Sequence, residues 1–315
     1  MEPFRPFAGR AGHARDDVRR TWLARLARAP PRRDRSTKLT KTHAQFFATG
    51  ERPIRLQSKV LFSFVALSLA VASQAAGVEA DRGALWRVVQ SCVADDALTG
   101  AAFPCLDINL SGGKERGYVV LKRPLANSDL ILAPTTKMLG VEDPRLQSLE
   151  APNYFEDAWS ARVFLTPQRK MPLAHEDVAL AVNSRESRSQ DQLHIHIGCL
   201  SRETKRTLAA LALQLPEDRW VRIGQPITVG KGLHEAGLWG RRVARENLAE
   251  VNPFRLATEA HPNDSEMRAH TMIVVAGVEL ALGRDGFVLL ASQGEPSGSG
   301  NQAYAEDFLD GSCSS

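Results

Sequence analysis

No cysteine occurs before residue 92 of this 315-residue chain, and only four come after that point: Cys92, Cys105, Cys199 and Cys313. An even number confined to the later part fits a disulfide-bonded domain in an oxidising compartment, with three pairings open. Cys92 with Cys105 is the local choice. Cys199 with Cys313 would then join residue 199 to the C-terminal tail. Charge is also absent from Val60 to Val78. Arg55 and Lys59 precede this run, and Ser73-Gln74-Ala75 offers small residues for cleavage. Residues 58–78 therefore read as a secretory signal or a membrane anchor, since about 20 apolar residues span a bilayer. Either reading leaves the basic flank inside and exports the C-terminal part of the chain.

The folded part lacks a basic balance. Residues 1–59 carry 15 Lys/Arg against 5 Asp/Glu, a net of +10, while the rest carries 25 against 31, a net of −6. Nucleic-acid binding by the domain itself is therefore not expected, because phosphate recognition needs a basic surface. Residues 1–57 are rich in Arg, Ala and Pro without sustained apolar periodicity, which predicts a disordered basic leader. A second reading is a basic arm that binds anionic lipid or nucleic acid, and an over-extended gene start is also open, because the membrane signal begins only at about Arg55. There is no Walker motif, no Gly-x-Ser-x-Gly elbow and no internal repeat. Gly230-Lys231-Gly232-Leu233-His234 lacks the third glycine of a dinucleotide fingerprint and reads as a turn.

From residue 80 onward the chain reads as one α+β domain, 80–315, mainly antiparallel sheet with flanking helices. Helices are predicted over 84–93, from the Asn153 cap through Phe164, over 201–213, and from Asn252-Pro253. Strands are predicted over 117–122, 129–133, 177–182, 219–223, 271–275 and 286–291. The most informative stretch is Gln192-Leu193-His194-Ile195-His196-Ile197-Gly198. As a strand it alternates: Leu193, Ile195 and Ile197 face one way, and Gln192, His194 and His196 the other. Before it lies Asn183-Ser184-Arg185-Glu186-Ser187-Arg188-Ser189-Gln190-Asp191, a loop rich in hydrogen-bond donors. Strand 177–182 and the histidine strand are expected to pair as an antiparallel hairpin. His175, His234, His261 and His270 stand at no recognisable metal spacing, so neither metal nor cofactor is expected.

The strand Gln192–Ile197 resembles the motif of the histidine-triad superfamily, in which three His alternate with apolar residues. Aligned on it, His194 takes the nucleophile position, His196 the third position, and Gln192 stands where the first His belongs. An amide there can still hydrogen-bond an imidazole. The resemblance extends, in order, over Gly117–Lys122, Leu132–Thr135, Glu142-Asp143-Pro144, Pro152–Phe155, Ala181–Arg185, His194–Ile197, Asn252-Pro253-Phe254, Phe287–Ala291 and all four cysteines. Over about residues 83–313 the chain is similar to the CDP-diacylglycerol pyrophosphatase family.

That resemblance implies a histidine-triad-like fold at the bacterial inner membrane, single-pass and facing the periplasm, or exported after cleavage. It implies hydrolysis of CDP-diacylglycerol, a lipid substrate, to CMP and phosphatidate through a nucleotidyl-histidine. His194 would attack, with His196 and Gln192 assisting, and Asn183, Arg185, Ser189 and Gln190 would bind substrate. Arg185 has a plainer reading as a solvated charge beside Glu186. Two other functions fit the residues: hydrolysis or transfer on a soluble nucleotide, and a non-catalytic exported binding domain. Oligomeric state is not readable.

Overall fold

Runs dominated by Val, Ile, Leu and Ala build one large antiparallel sheet, because β-branched and aliphatic side chains pack well on a pleated surface. The computed structural model describes residues 81–123, 129–166, 173–224, 226–229, 232–234, 237–280, 283–293, 304–310 and 313. The predicted leader and the apolar segment 58–78 lie outside them. Among the described residues no helix is long and apolar enough to cross a membrane.

The first half runs α1 (Ala84–Thr99), β1 (Asp107–Asn109), β2 (Tyr118–Lys122), β3 (Leu130–Pro134), α2 (Tyr154–Ala161), β4 (Val178–Val182) and β5 (Ile195–Leu200). The second runs α3 (Arg202–Ala212), β6 (Val221–Arg222), β7 (Ile227–Val229), β8 (Gly232–His234), β9 (Trp239–Ala244), α4 (Pro253–Ala257), α5 (Ser265–Ala269), β10 (Ile273–Leu280), β11 (Arg284–Ala291) and β12 (Leu309–Asp310). Helix starts follow side-chain chemistry: Asn153 accepts from Glu156 N, Ser201 from Thr204 N, Asn252 from Phe254 N and Asp264 from Met267 N. Each satisfies one backbone donor that the first helical turn leaves open.

The main sheet has the order β1-β2-β3-β5-β4-β10-β11-β9-β6, and β7 pairs with β8 separately. The α+β architecture and the β4–β5 antiparallel pairing agree with the sequence reading. Ala181 lies opposite His196 and Leu180 opposite Ile197. One face of the sheet packs Ile195, Ile197, Leu180, Ile273 and Leu289 against Phe155 and Trp159 of α2 and Phe254 of α4. The other packs Ala179, Ala181, Val274 and Leu290 against Leu208 and Leu211 of α3 and against Phe308 and Leu309 near the C-terminus. Helix α1 covers Val119, Leu121, Ile131 and Ala133 at the β2–β3 end. With both faces covered, every residue of β3, β4 and β5 is buried, so these strands read as continuous apolar runs.

β5 carries three partners. β4 pairs along Ile197–Cys199 and His196, and β3 pairs with Ile195–Ile197 on the other edge. β12 takes over that second edge, with Leu309 opposite Leu200 and Asp310 opposite Cys199. Two disulfides close the domain, Cys92–Cys105 and Cys199–Cys313. The second fixes the tail that continues β12.

Several elements differ from expectation. α1 runs to Thr99, β10 extends to Leu280, and the strand expected over 219–223 shrinks to Val221–Arg222. β9 went unread because Arg241 and Arg242 interrupt its apolar content; only Gly240 and Val243 are buried. Gly232–His234, read as part of a turn, forms β8. The histidine strand begins at Ile195 and not at Gln192, because the two residues before His194 bond to the loop after β3 instead of a neighbouring strand. Leu193 N donates to Met138 O at 2.7 Å.

The disulfides span 13 and 114 residues. Loop-closure entropy makes the longer one more stabilising by about 2 kcal/mol. Urea unfolding of Cys199→Ser/Cys313→Ser and of Cys92→Ser/Cys105→Ser checks this: the first double variant is expected to lose more stability, and equal losses would contradict it.

Candidate active site

Leu193 and His194 complete the approach to β5, and the rings of His194 and His196 meet at a centroid distance of 4.8 Å, edge to face. Both are buried, at 7% and 4% exposure. His194 Nδ1 lies 2.7 Å from the Gln192 carbonyl oxygen. A carbonyl only accepts, so Nδ1 carries the hydrogen and Nε2 keeps the lone pair. Burial pushes the His194 imidazole below its ordinary pKa; the Gln192 bond and the Glu306 charge act the other way, and Arg123 and Arg188 add to the lowering. A neutral ring with a defined basic nitrogen is the result at pH 7.

Gln192 is wholly buried, and its amide serves the backbone. Nε2 donates to Pro134 O at 3.1 Å and Thr136 O at 3.0 Å, and Oε1 accepts from Met138 N at 3.3 Å. Both amide hydrogens are therefore spent on the loop after β3. The carbonyl of Gln192, and not its side chain, is the group that orients the imidazole.

His194 lines a small pocket with Leu139, Gly140, Val182, Asn183, Arg188, Gln192 and Leu193. Arg188 is 7% exposed and grips Glu142 with two nitrogens, at 2.9 Å and 2.8 Å. Its Nε lies 3.4 Å from Asp191. Gly140 is required for this placement: a Cβ there would collide with the Arg188 guanidinium and with Glu142. Leu139, 48% exposed, contributes an apolar wall.

The residues expected from the sequence divide. His194, Gln192 and Asn183 meet at the pocket. His196 stands behind His194. Arg185 points elsewhere, to Glu266 at 2.6 and 3.0 Å. Gln190 is occupied by α1: Oε1 accepts from Leu85 N at 2.8 Å and Nε2 donates to Asp81 O at 3.1 Å. Ser189 is exposed, beside a loop pinned by the Arg82–Asp191 pair at 2.7 and 2.8 Å. The cation that faces His194 is Arg188, three residues beyond Arg185 in the same loop. Composition marked the loop but gave no means of choosing between its two arginines.

Glu306 is the other residue that sequence reading did not find. Its Oε2 lies 3.8 Å from His196 Nδ1 and 2.5 Å from Arg123 Nη1. Arg123 also lies 3.6 Å from Asp129. The Glu306 amide donates to Asn183 Oδ1 at 3.4 Å, so one pocket residue anchors this acidic group. Its only advance signal was the expected Cys199–Cys313 link, which carries the tail toward the histidine strand. Among the described residues, no group of three or more His, Cys, Asp or Glu is arranged to hold a metal ion.

Breaking a buried ion pair costs about 3–5 kcal/mol, because the remaining charge loses its partner. Arg188→Met is expected to lower unfolding stability by about 3 kcal/mol, and Arg188→Met/Glu142→Leu to recover most of it. Urea titration checks both; a double variant no better than the single one would show that Glu142 is not the group left stranded.

The family model for CDP-diacylglycerol pyrophosphatase matches residues 80–315. A CDP-diacylglycerol pyrophosphatase of Yersinia pestis is 32% identical over 231 residues, 73% of this chain and 83% of the relative. A protein of Mycobacterium leprae (strain TN), described as a probable CDP-diacylglycerol pyrophosphatase, is 31% identical over 241 residues, 75% of this chain and 81% of the relative.

Proposed function

The chain belongs to the CDP-diacylglycerol pyrophosphatase family, and we propose that it hydrolyses the pyrophosphate bond of CDP-diacylglycerol to CMP and phosphatidate through a nucleotidyl-histidine at His194. The observation that carries this reading is the 2.7 Å bond from His194 Nδ1 to the Gln192 carbonyl, in a pocket that also holds the Arg188 guanidinium. It leaves Nε2 as the nucleophile.

In the first half-reaction Nε2 bonds to the cytidylyl phosphorus as the bond from that phosphorus to the bridging oxygen breaks. Phosphatidate departs with that oxygen. In the second, a water oxygen bonds to the same phosphorus, the P–N bond breaks and CMP leaves. Covalent catalysis divides one displacement into two lower barriers. Arg188 takes the role that the sequence reading gave Arg185, neutralising charge on the phosphoryl oxygens. To do so it exchanges part of its contact with Glu142 for the phosphate. Asn183 supplies an amide at the pocket wall, and His196 exchanges a proton with the bridging oxygen. The phosphoryl group would lie at the mouth of this small pocket, so cytidine and the diacylglycerol arms extend outward, with Leu139 on the route. No metal or cofactor enters these steps.

The histidine-triad reading rests on the same motif. The two disulfides are consistent with an exported domain. The segment 58–78 would tether residues 80–315 to the outer side of the inner membrane, or direct their export. Tethering would raise the encounter rate with a lipid substrate confined to the bilayer.

Full-length protein in detergent with CDP-diacylglycerol and EDTA, in H2¹⁸O, tests the reaction. The expected result is CMP carrying ¹⁸O, unlabelled phosphatidate, and a loss of about a thousandfold or more in folded His194→Ala, as for other covalent nucleophiles. Label in phosphatidate would place the attack on the wrong phosphorus. Absence of CMP, with or without divalent ions, would overturn the assignment.

A further inference from the structure

Behind the reacting histidine, a chain of charged groups from separate parts of the fold leads to His196. Arg123 follows β2, Asp129 precedes β3, His196 is in β5, and Glu306 is in a 3-10 turn (Ala305–Phe308) just before β12. All are well removed from solvent except Arg123: the side chains of Asp129, Glu306 and His196 are 9%, 16% and 5% exposed. Arg123 bridges the two carboxylates at 3.6 and 2.5 Å. Two carboxylates thus share one guanidinium, and the Glu306 carboxylate faces the His196 imidazole. Ile131 of β3 and Ala181 of β4 lie opposite His196 in the sheet register, and the neutral His194 ring abuts it. Arg188 is committed to Glu142 and Asp191.

The turn that carries Glu306 is held independently of His196. Asn183 accepts its backbone N–H, β12 pairs with β5, and Cys199–Cys313 closes the tail. The carboxylate is therefore delivered to a fixed position and not drawn there by the imidazole. A carboxylate within about 4–6 Å favours the protonated form of a histidine.

We infer that Glu306 is a positioning residue, acting through His196: its carboxylate, 3.8 Å from Nδ1, keeps this imidazole protonated and oriented for the departing phosphate. The inference rests on the reaction proposed above. As the bond from phosphorus to the bridging oxygen breaks, the His196 Nε2 proton passes to that oxygen. Neutral Nε2 then removes a proton from the attacking water, which restores the imidazolium while the P–N bond breaks. Protons balance over the cycle, and Glu306 keeps its charge throughout.

The sign of the effect is set by the charge. Removing the carboxylate lowers the proton affinity of His196, so the alkaline limb of the rate profile moves to lower pH. The experiment uses the full chain in detergent, as wild type, Glu306→Gln and Glu306→Asp. His196 is titrated by ¹⁵N-histidine NMR, and kcat/KM for CMP release is followed from pH 5.5 to 9. Glu306→Gln is expected to shift both the His196 midpoint and the alkaline limb down by about one unit. The rate then falls about tenfold near pH 8 and little near pH 6. Glu306→Asp is expected to restore most of the midpoint. An unmoved midpoint overturns the inference, as does a rate loss equal at every pH. A shifted midpoint in a wild-type background that releases no CMP would support the charge link and remove the substrate reading instead.

Discussion

The hydrogen bond from His194 Nδ1 to the Gln192 carbonyl decides which ring nitrogen keeps its lone pair, and much of the surrounding structure exists to hold that carbonyl still. Gln192 is buried with its amide fixed to three backbone groups between Pro134 and Met138. Leu193 is tied to the same loop. The strand proper starts only at Ile195, so His194 occupies a position defined by a loop on one side and a three-partnered strand on the other. Such a site can hold a ring to within a few tenths of an ångström, which is what in-line attack on phosphorus demands. The same burial that lowers the proton affinity of His194 also strengthens every charge nearby, because water screens them little.

Around this bond the fold arranges two opposite electrostatic environments. On the pocket side Arg188 stands against Glu142, with Gly140 leaving the room it needs. On the other side Glu306 lies against His196 and is linked through Arg123 to Asp129. Adjacent imidazoles in contrasting surroundings are suited to different protonation states, and the proposed reaction uses one neutral for attack and one charged for proton transfer. The disulfides belong to this arrangement. Cys199–Cys313 secures the chain segment beyond Glu306, and Cys92–Cys105 secures α1 to the start of β1. The first turn of α1 and Arg82 just before it in turn hold Gln190 and Asp191.

The parts of this architecture that depend on near neighbours in the chain were legible beforehand. Alternation in Leu193, His194, Ile195, His196 and Ile197 placed the imidazoles on one face, and Asn153 and Asn252-Pro253 marked helix starts. The cysteine count left three pairings open, and the short spacing of Cys92 and Cys105 favoured the one that the structure contains. What was hidden depends on distant residues or on competing partners. Arg185 and Arg188 have the same chemistry in sequence, and only the positions of Glu266 and Glu142 separate them. Gln190 has the donors of a ligand-binding residue, yet the Asp81 and Ser189 carbonyls consume them and Leu85 N of α1 takes its oxygen. Glu306 comes from a turn more than a hundred residues after the histidine strand. β9 was masked because Arg241 and Arg242 break its apolar pattern, and Gln192 looked like a substitute for a histidine when its main chain does the orienting.

The central claim is that Nε2 of His194 forms a bond to phosphorus, and the most direct measurement is to isolate that bond. The full chain, mixed with CDP-diacylglycerol labelled in the cytidylyl phosphate and quenched in alkali within milliseconds, should carry label as an acid-labile phosphoramidate. Peptide mapping should place it on His194, and comparison with Nδ1- and Nε2-phosphohistidine standards should place it on Nε2. Label on Nδ1, on His196 or on no residue during rapid CMP formation would contradict the account.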